Sequence, residues 1–178
     1  MSHLIIAASV IQYAQEIGLW DVLPCAFYEL YMWYPPDFAN RMTSSGADTP
    51  LTVHAEKLTR ANLERFIYGK QKLESQLHKS IATLTNAVNN WKCTAPPETP
   101  TLECSAGVSS WWTGLNTRLV RATVLTPRDP VFCLFREEDT IRTRPGICTD
   151  CQSRVCGALQ REYLKLWQDI PRYFNLVN

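Results

Sequence analysis

From Thr59 to Trp91 the chain carries a single long helical signal, and that run constrains the fold more than any other stretch. Leu63, Phe66, Ile67, Leu73, Leu77, Ile81, Leu84, Val88 and Trp91 mostly recur at steps of three and four. That spacing puts apolar side chains on one face of a helix. It predicts a helix of about 30 residues, roughly 45 Å long at 1.5 Å per residue. Thr59 is a good N-cap, because its hydroxyl can accept one of the unpaired amides of the first turn. Gly69 is a weak point, since glycine costs a helix about 1 kcal/mol relative to alanine, and a break there is possible. An apolar stripe of this length belongs in a core more readily than on a coiled-coil seam.

Shorter helical patterns flank it. Leu4, Ala8, Ile11 and Ala14 share a face up to Gly18, which suits a helix stop. Asp21 can cap a second helix carrying Leu23, Phe27, Leu30, Tyr31 and Tyr34, with Pro24 tolerated in its first turn and Pro35-Pro36 closing it. These two segments read as an antiparallel helical pair over residues 1–34. Residues 35–58 form a loop or linker rich in Pro, Ser and Gly. Residues 59–178 hold the long helix and a Cys-rich helical region.

Within that region, residues 93–108 read as a Pro-rich connector carrying Cys93 and Cys104. Ser110 then caps a helix with Trp111, Trp112, Leu115, Leu119 and Ala122 inward. Val131 to Phe135 is a continuous apolar run that periodicity assigns to neither strand nor helix. Residues 142–150 form a loop. Val155, Leu159, Tyr163, Leu166, Trp167 and Ile170 describe a last amphipathic helix, stopped by Pro171. The fold class that follows is mainly α: a helical bundle with one long helix and a zinc-stapled, Cys-rich C-terminal half.

The staple rests on cysteine spacing. Cys148-Thr149-Asp150-Cys151 is a C-x2-C pair in a loop just before a helix, which suits half of a tetrahedral thiolate site with metal–sulfur bonds of about 2.3 Å. The N-terminus of that helix favours the negative charge of the thiolates. A closed site needs two further ligands, and Cys93 and Cys104 are the best candidates. Together the four would join the end of the long helix to the start of the last one. Cys156 is the runner-up ligand. Three other readings stand beside zinc: a Cys93–Cys104 disulfide, a redox pair at Cys148 and Cys151, and ordinary buried thiols. The remaining two of the seven cysteines, Cys25 and Cys133, sit in apolar stretches and read as core.

Other chemistry is thinly represented. His3, His54 and His78 have no partner motif and read as solvated. No phosphate loop, dinucleotide fingerprint, H-E-x-x-H or nucleophile elbow occurs, so no catalytic residue is assigned and the chain reads as a non-enzyme. Glu137, Glu138 and Asp139 form a short charge run of the kind usually found on a solvated face. Arg118, Arg121, Arg128, Arg142 and Arg144 are dispersed among acids. With 18 basic and 17 acidic residues the net charge is +1, which provides no electrostatic drive toward nucleic acid. The opening apolar run lacks a preceding Lys or Arg and breaks at Gln12, Gln15 and Glu16, unlike an export signal. No stretch approaches the roughly 18 apolar residues of a membrane span. An intracellular site, nucleus or cytoplasm, is expected.

Several phrases, in their order, carry a family resemblance. They are the opening from Ala14 to Leu30, the stretch from Leu58 to Lys70, Ile147-Cys148-Thr149-Asp150-Cys151, and the ending from Leu166 to Leu176. Together they resemble the helical, BACK-like region that follows the BTB/POZ domain in many fungal proteins of the mushroom type. The resemblance implies a protein-binding adaptor or regulatory scaffold. A BTB domain itself is not in the chain, so dimerisation and cullin contacts are not carried over. Two rival functions remain: a zinc-containing nucleic-acid-binding module, which needs a clustered basic face, and a thiol-dependent enzyme, which needs an exposed low-pKa cysteine.

Overall fold

The computed structural model describes residues 3–33, 58–94, 101–125, 131, 137 and 139–176. Every regular element among these is helical. In chain order they are α1 (His3–Glu16), a 3-10 turn (Trp20–Val22), α2 (Leu23–Trp33), α3 (Arg60–Asn89), α4 (Thr101–Leu125), α5 (Thr149–Gln168) and the short α6 (Ile170–Tyr173). The mainly helical class and the long central helix therefore hold. The loop expected over 35–58 lies, except for Leu58, outside the described residues. The chain forms two compact units, Met1–Ser75 with Gln168–Asn178, and Gln76–Trp167.

In the first unit, α1 presents the small buried face Ala7, Ala8, Ile11 and Ala14, and α2 packs against it. Gly18, at φ +74°, ends α1 in the left-handed conformation that favours glycine. The Leu19 amide then reaches back 2.7 Å to the Ala14 carbonyl, satisfying an end-of-helix acceptor. Asp21 sits inside the 3-10 turn, so it is not the residue immediately before α2. Thr59 does cap α3: its hydroxyl accepts the Asn62 amide at 3.2 Å. Asn62 is itself buried, and its side chain exchanges two hydrogen bonds with Gln15 of α1, at 2.8 and 2.9 Å.

The helix does not break at Gly69. Instead the fully buried Phe174 lies against that glycine, and a Cβ there would overlap the ring at Cδ1. The same ring stacks on Phe27 at 5.3 Å and on Phe66 at 6.4 Å between centroids. Burying one such aromatic contributes about 1.5–3 kcal/mol.

In the second unit, α3, α4 and α5 contribute Leu84 and Val88, Trp111 and Trp112, and Val155 and Leu159 to the wall of one void of only about 10 Å³. That is tight packing at the centre of this unit. Both indoles find acceptors: Trp112 Nε1 donates to Thr85 Oγ1 at 3.1 Å and Trp111 Nε1 to Thr140 Oγ1 at 3.2 Å.

Four expectations need correction. Helix α4 begins at Thr101, immediately after the last of the connector prolines, so Ser110 lies mid-helix and is no cap. Cys25 is exposed, on the outer face of α2, and is not a core residue. Ile67 and Trp167 are partly exposed, at 46% and 39%, because the apolar stripes of α3 and α5 are wider than the surface each buries. Glu137 is no solvated charge: it accepts from Arg118 Nη2 at 2.6 Å and from the Thr140 hydroxyl at 2.6 Å. Val131 is helical and buried, while 132–136, with Cys133, lie outside the described residues.

Candidate metal centre

Pro145 and Gly146 set up the turn that delivers the C-x2-C pair, Gly146 taking φ +79°. Ile147 then packs against Gly107 of α4, where a Cβ would lie only 2.8 Å from Ile147 Cγ1. A glycine at that point lets the turn approach the helix closely. Cys148 occupies the N-cap position of α5: its carbonyl accepts the Gln152 amide at 2.9 Å. Gln152 also ties the turn down, its side chain donating 3.0 Å to the Ile147 carbonyl.

Cys104 lies in the first turns of α4, not in a connector as its prolines suggested, and it is buried. Its sulfur accepts the Cys148 amide at 3.2 Å. Cys93 follows the end of α3 and places its sulfur 3.7 Å from that of Cys148. The ligand atoms of Cys93, Cys104, Cys148 and Cys151 all lie within 4.8 Å of one another. They are close enough to hold one metal ion.

Distances and donors bear on which ligand set this is. A tetrahedral ion with metal–sulfur bonds of about 2.3 Å separates its sulfurs by about 3.8 Å along each edge. The Cys93–Cys148 separation of 3.7 Å matches that edge. It is far longer than a disulfide bond of about 2.05 Å. Two of the thiols are fully buried, Cys104 at 2% and Cys151 at 0% exposure, while Cys93 and Cys148 are half-buried. Cys104, Cys148 and Cys151 all belong to the N-terminal turns of helices, where free amides favour negative charge.

The thiols perturb one another. Cys148 is lowered from 9.0 to about 7, chiefly by the Cys151 backbone N–H and further by the three neighbouring thiols, with burial acting against them. Cys151 is pushed up to about 12, chiefly by burial, although the Trp91 indole N–H favours its thiolate. Cys104 is pulled down by the Cys148 amide, but burial and the thiols of Cys148 and Cys93 outweigh that and raise it overall. Four thiols in mutual contact cannot all ionise without a compensating cation.

An outer shell fixes the ligands. Trp91 Nε1 donates to Cys151 Sγ at 3.3 Å, and the Arg154 guanidinium lies 4.7 Å over the Trp91 ring. Arg154 also donates to the Lys92 carbonyl at 3.0 Å and to Thr94 Oγ1 at 3.2 Å. Thr94 in turn donates to Asp150 at 2.9 Å, and Ser105 to the Trp91 carbonyl at 3.3 Å. Residues 91–94 are thereby held to α4 and α5 before any ion is considered. Second-shell donors of this kind orient ligands and tune the metal.

The sequence marks Trp91 only as part of an apolar stripe and gives Arg154, Thr94 and Gly107 no prominence. The one usable signal was position, since Trp91 and Thr94 flank Cys93 and Arg154 lies one turn beyond Cys151. Cys156 is buried but does not join the four. His78 is exposed on α3; His54 and the His3 side chain lie outside the described residues. No family model, curated protein or solved structure matches the chain.

Proposed function

We propose that this chain is a zinc-stapled helical module that binds other proteins, an adaptor or scaffold and not a catalyst. The observation that carries it is the convergence of four sulfurs within 4.8 Å, fed by N–H donors from Trp91 and Cys148. Soft thiolate donors select zinc, copper(I) or iron–sulfur chemistry, and a closed set of four around one ion suits structural zinc. Such a site leaves no open position for substrate. Its role is to tie the end of α3 to the starts of α4 and α5. Thiols kept reduced for this purpose suit the nucleus or cytoplasm.

Protein binding is supported by a second feature, besides the resemblance to the helical region of BTB proteins. Helix α1 is apolar on both faces. While Ala7, Ala8, Ile11 and Ala14 are buried, Ile6, Val10, Tyr13 and Ile17 remain 38–62% exposed, beside exposed Leu19, Trp20 and Val22. Between α1 and the 3-10 turn, Ile6, Val10, Tyr13, Leu19 and Val22 border a groove of about 550 Å³. A groove of this size and character suits the apolar face of a partner's helix. The near-balanced charge favours a protein over a nucleic acid.

Metal analysis of the purified chain with native mass spectrometry tests the zinc reading. One zinc per chain supports it, whereas metal-free protein of full helicity rejects it. Binding to an array of amphipathic helical peptides, lost on Tyr13→Glu with zinc content unchanged, tests the protein-binding surface.

A further inference from the structure

Burial divides the four thiols into two pairs. Cys104 and Cys151 are sealed, while Cys93 and Cys148 are partly open to solvent and 3.7 Å apart. Within the C-x2-C motif the two cysteines are therefore unequal. Cys151 is fully buried and accepts the Trp91 indole N–H, whereas Cys148 faces the cysteine of another segment, 55 residues away in the chain.

We propose that hydrogen peroxide oxidises this site at Cys93 and Cys148, forming one disulfide between them and releasing the zinc. This rests on the zinc reading above. One thiolate of the open pair attacks a peroxide oxygen; an S–O bond forms, the O–O bond breaks, and hydroxide leaves and is protonated to water. The product is a sulfenic acid. The second thiolate attacks that sulfur, forming the S–S bond, breaking S–O and releasing a second hydroxide, which also becomes water. Two thiolates, one peroxide and two protons thus give one disulfide and two waters. The two sulfurs give up the two electrons that peroxide accepts.

Geometry favours this pair over the motif pair. Closing from 3.7 Å to the roughly 2.05 Å of a disulfide moves Cys93, beyond the end of α3, and Cys148, at the turn after Gly146. Pairing Cys148 with Cys151 instead would pull a fully buried sulfur off its Trp91 donor. After oxidation only Cys104 and Cys151 remain as thiolates, too few for a closed tetrahedral site. The ion dissociates and the link between α3 and α5 becomes covalent, until a dithiol reductant and zinc restore the original state.

The test uses the full zinc-loaded chain with Cys25→Ser, which removes an exposed thiol far in sequence from the site. Zinc content is recorded first. Hydrogen peroxide is then titrated, zinc release is followed with a colorimetric chelator, and disulfides are mapped by peptide mass spectrometry after alkylation under denaturing conditions. The expected result is release of one zinc per chain in step with a Cys93–Cys148 linkage, with Cys104 and Cys151 alkylated. Dithiothreitol with zinc should reverse it, and Cys156→Ser should leave the linkage unchanged. A Cys148–Cys151 linkage, sulfinic acids without any linkage, or zinc retained under excess peroxide would overturn the proposal. A chain holding no zinc before oxidant is added overturns the parent reading, so the two failures are read separately.

Discussion

Phe174 packs its ring onto Gly69, at the one place in the first half of α3 where a side chain is missing. Intrinsic propensity alone says that Gly69→Ala should stabilise the helix by about 1 kcal/mol. The ring reverses the sign. It is held between Phe27 and Phe66 and has no room to retreat. Gly69→Ala is expected to destabilise the protein by about 1–3 kcal/mol in urea unfolding, as overpacking does. In a Phe174→Ala background the same change should cost little, and a double-mutant cycle measures the difference.

Removing one sealed ligand should weaken the second unit. Cys151→Ser or Cys104→Ser is expected to abolish stoichiometric zinc and to lower stability by several kcal/mol, since metal affinity is also folding energy. Cys156→Ser and Cys25→Ser should keep one zinc per chain, because neither sulfur is among the four. Elemental analysis beside thermal unfolding separates the two classes.

In metal-free protein the contribution of Cys104, Cys148 and Cys151 to stability should peak near pH 9. Cys148 is lowered from 9.0 to about 7. Between those values the native chain has released a proton that the unfolded chain still holds. Stability therefore rises with pH across that window and is lost as pH falls toward 7. Cys151, raised to about 12, and Cys104, also raised, act in the opposite sense. Above pH 9 the unfolded thiols ionise while the native ones do not, and stability falls. Urea midpoints of chelator-treated protein across this range check both limbs.

Ser80 offers a gain. It is 1% exposed on α3, and its hydroxyl has no hydrogen-bond partner among the described residues. Ser80→Ala removes a buried unsatisfied group and improves helix propensity, so an increase of about 0.5–2 kcal/mol is expected. Calorimetry would show it as a higher Tm with unchanged zinc content.

Much of this was legible in the chain. The period of α3, the Thr59 cap and the Gly18 stop are local signals, and local signals survive folding. The start of α4 was not legible, because Pro96, Pro97 and Pro100 marked a connector whose end they could not fix. Cys104 therefore reads as a connector residue in the sequence, although it belongs to a helix. The C-x2-C pair announced half a site through spacing alone. That Cys93 and Cys104 reach it depends on how α3, α4 and α5 pack, which no spacing encodes. The roles of Trp91 and Gly69 escape the sequence for a related reason: one is fixed by a sulfur 60 positions away, the other by a ring from the C-terminus.

The paired amides of Gln15 and Asn62 have a consequence for how α1 and α3 recognise each other. Two reciprocal bonds between flat groups are satisfied at only one alignment, whereas the alanines around Gln15 would tolerate several. Sliding either helix by a turn would leave the buried Asn62 amide without its Gln15 partner. The amides act as an indexing pin: they add little adhesion, yet they reject the near-miss arrangements that greasy surfaces alone would accept.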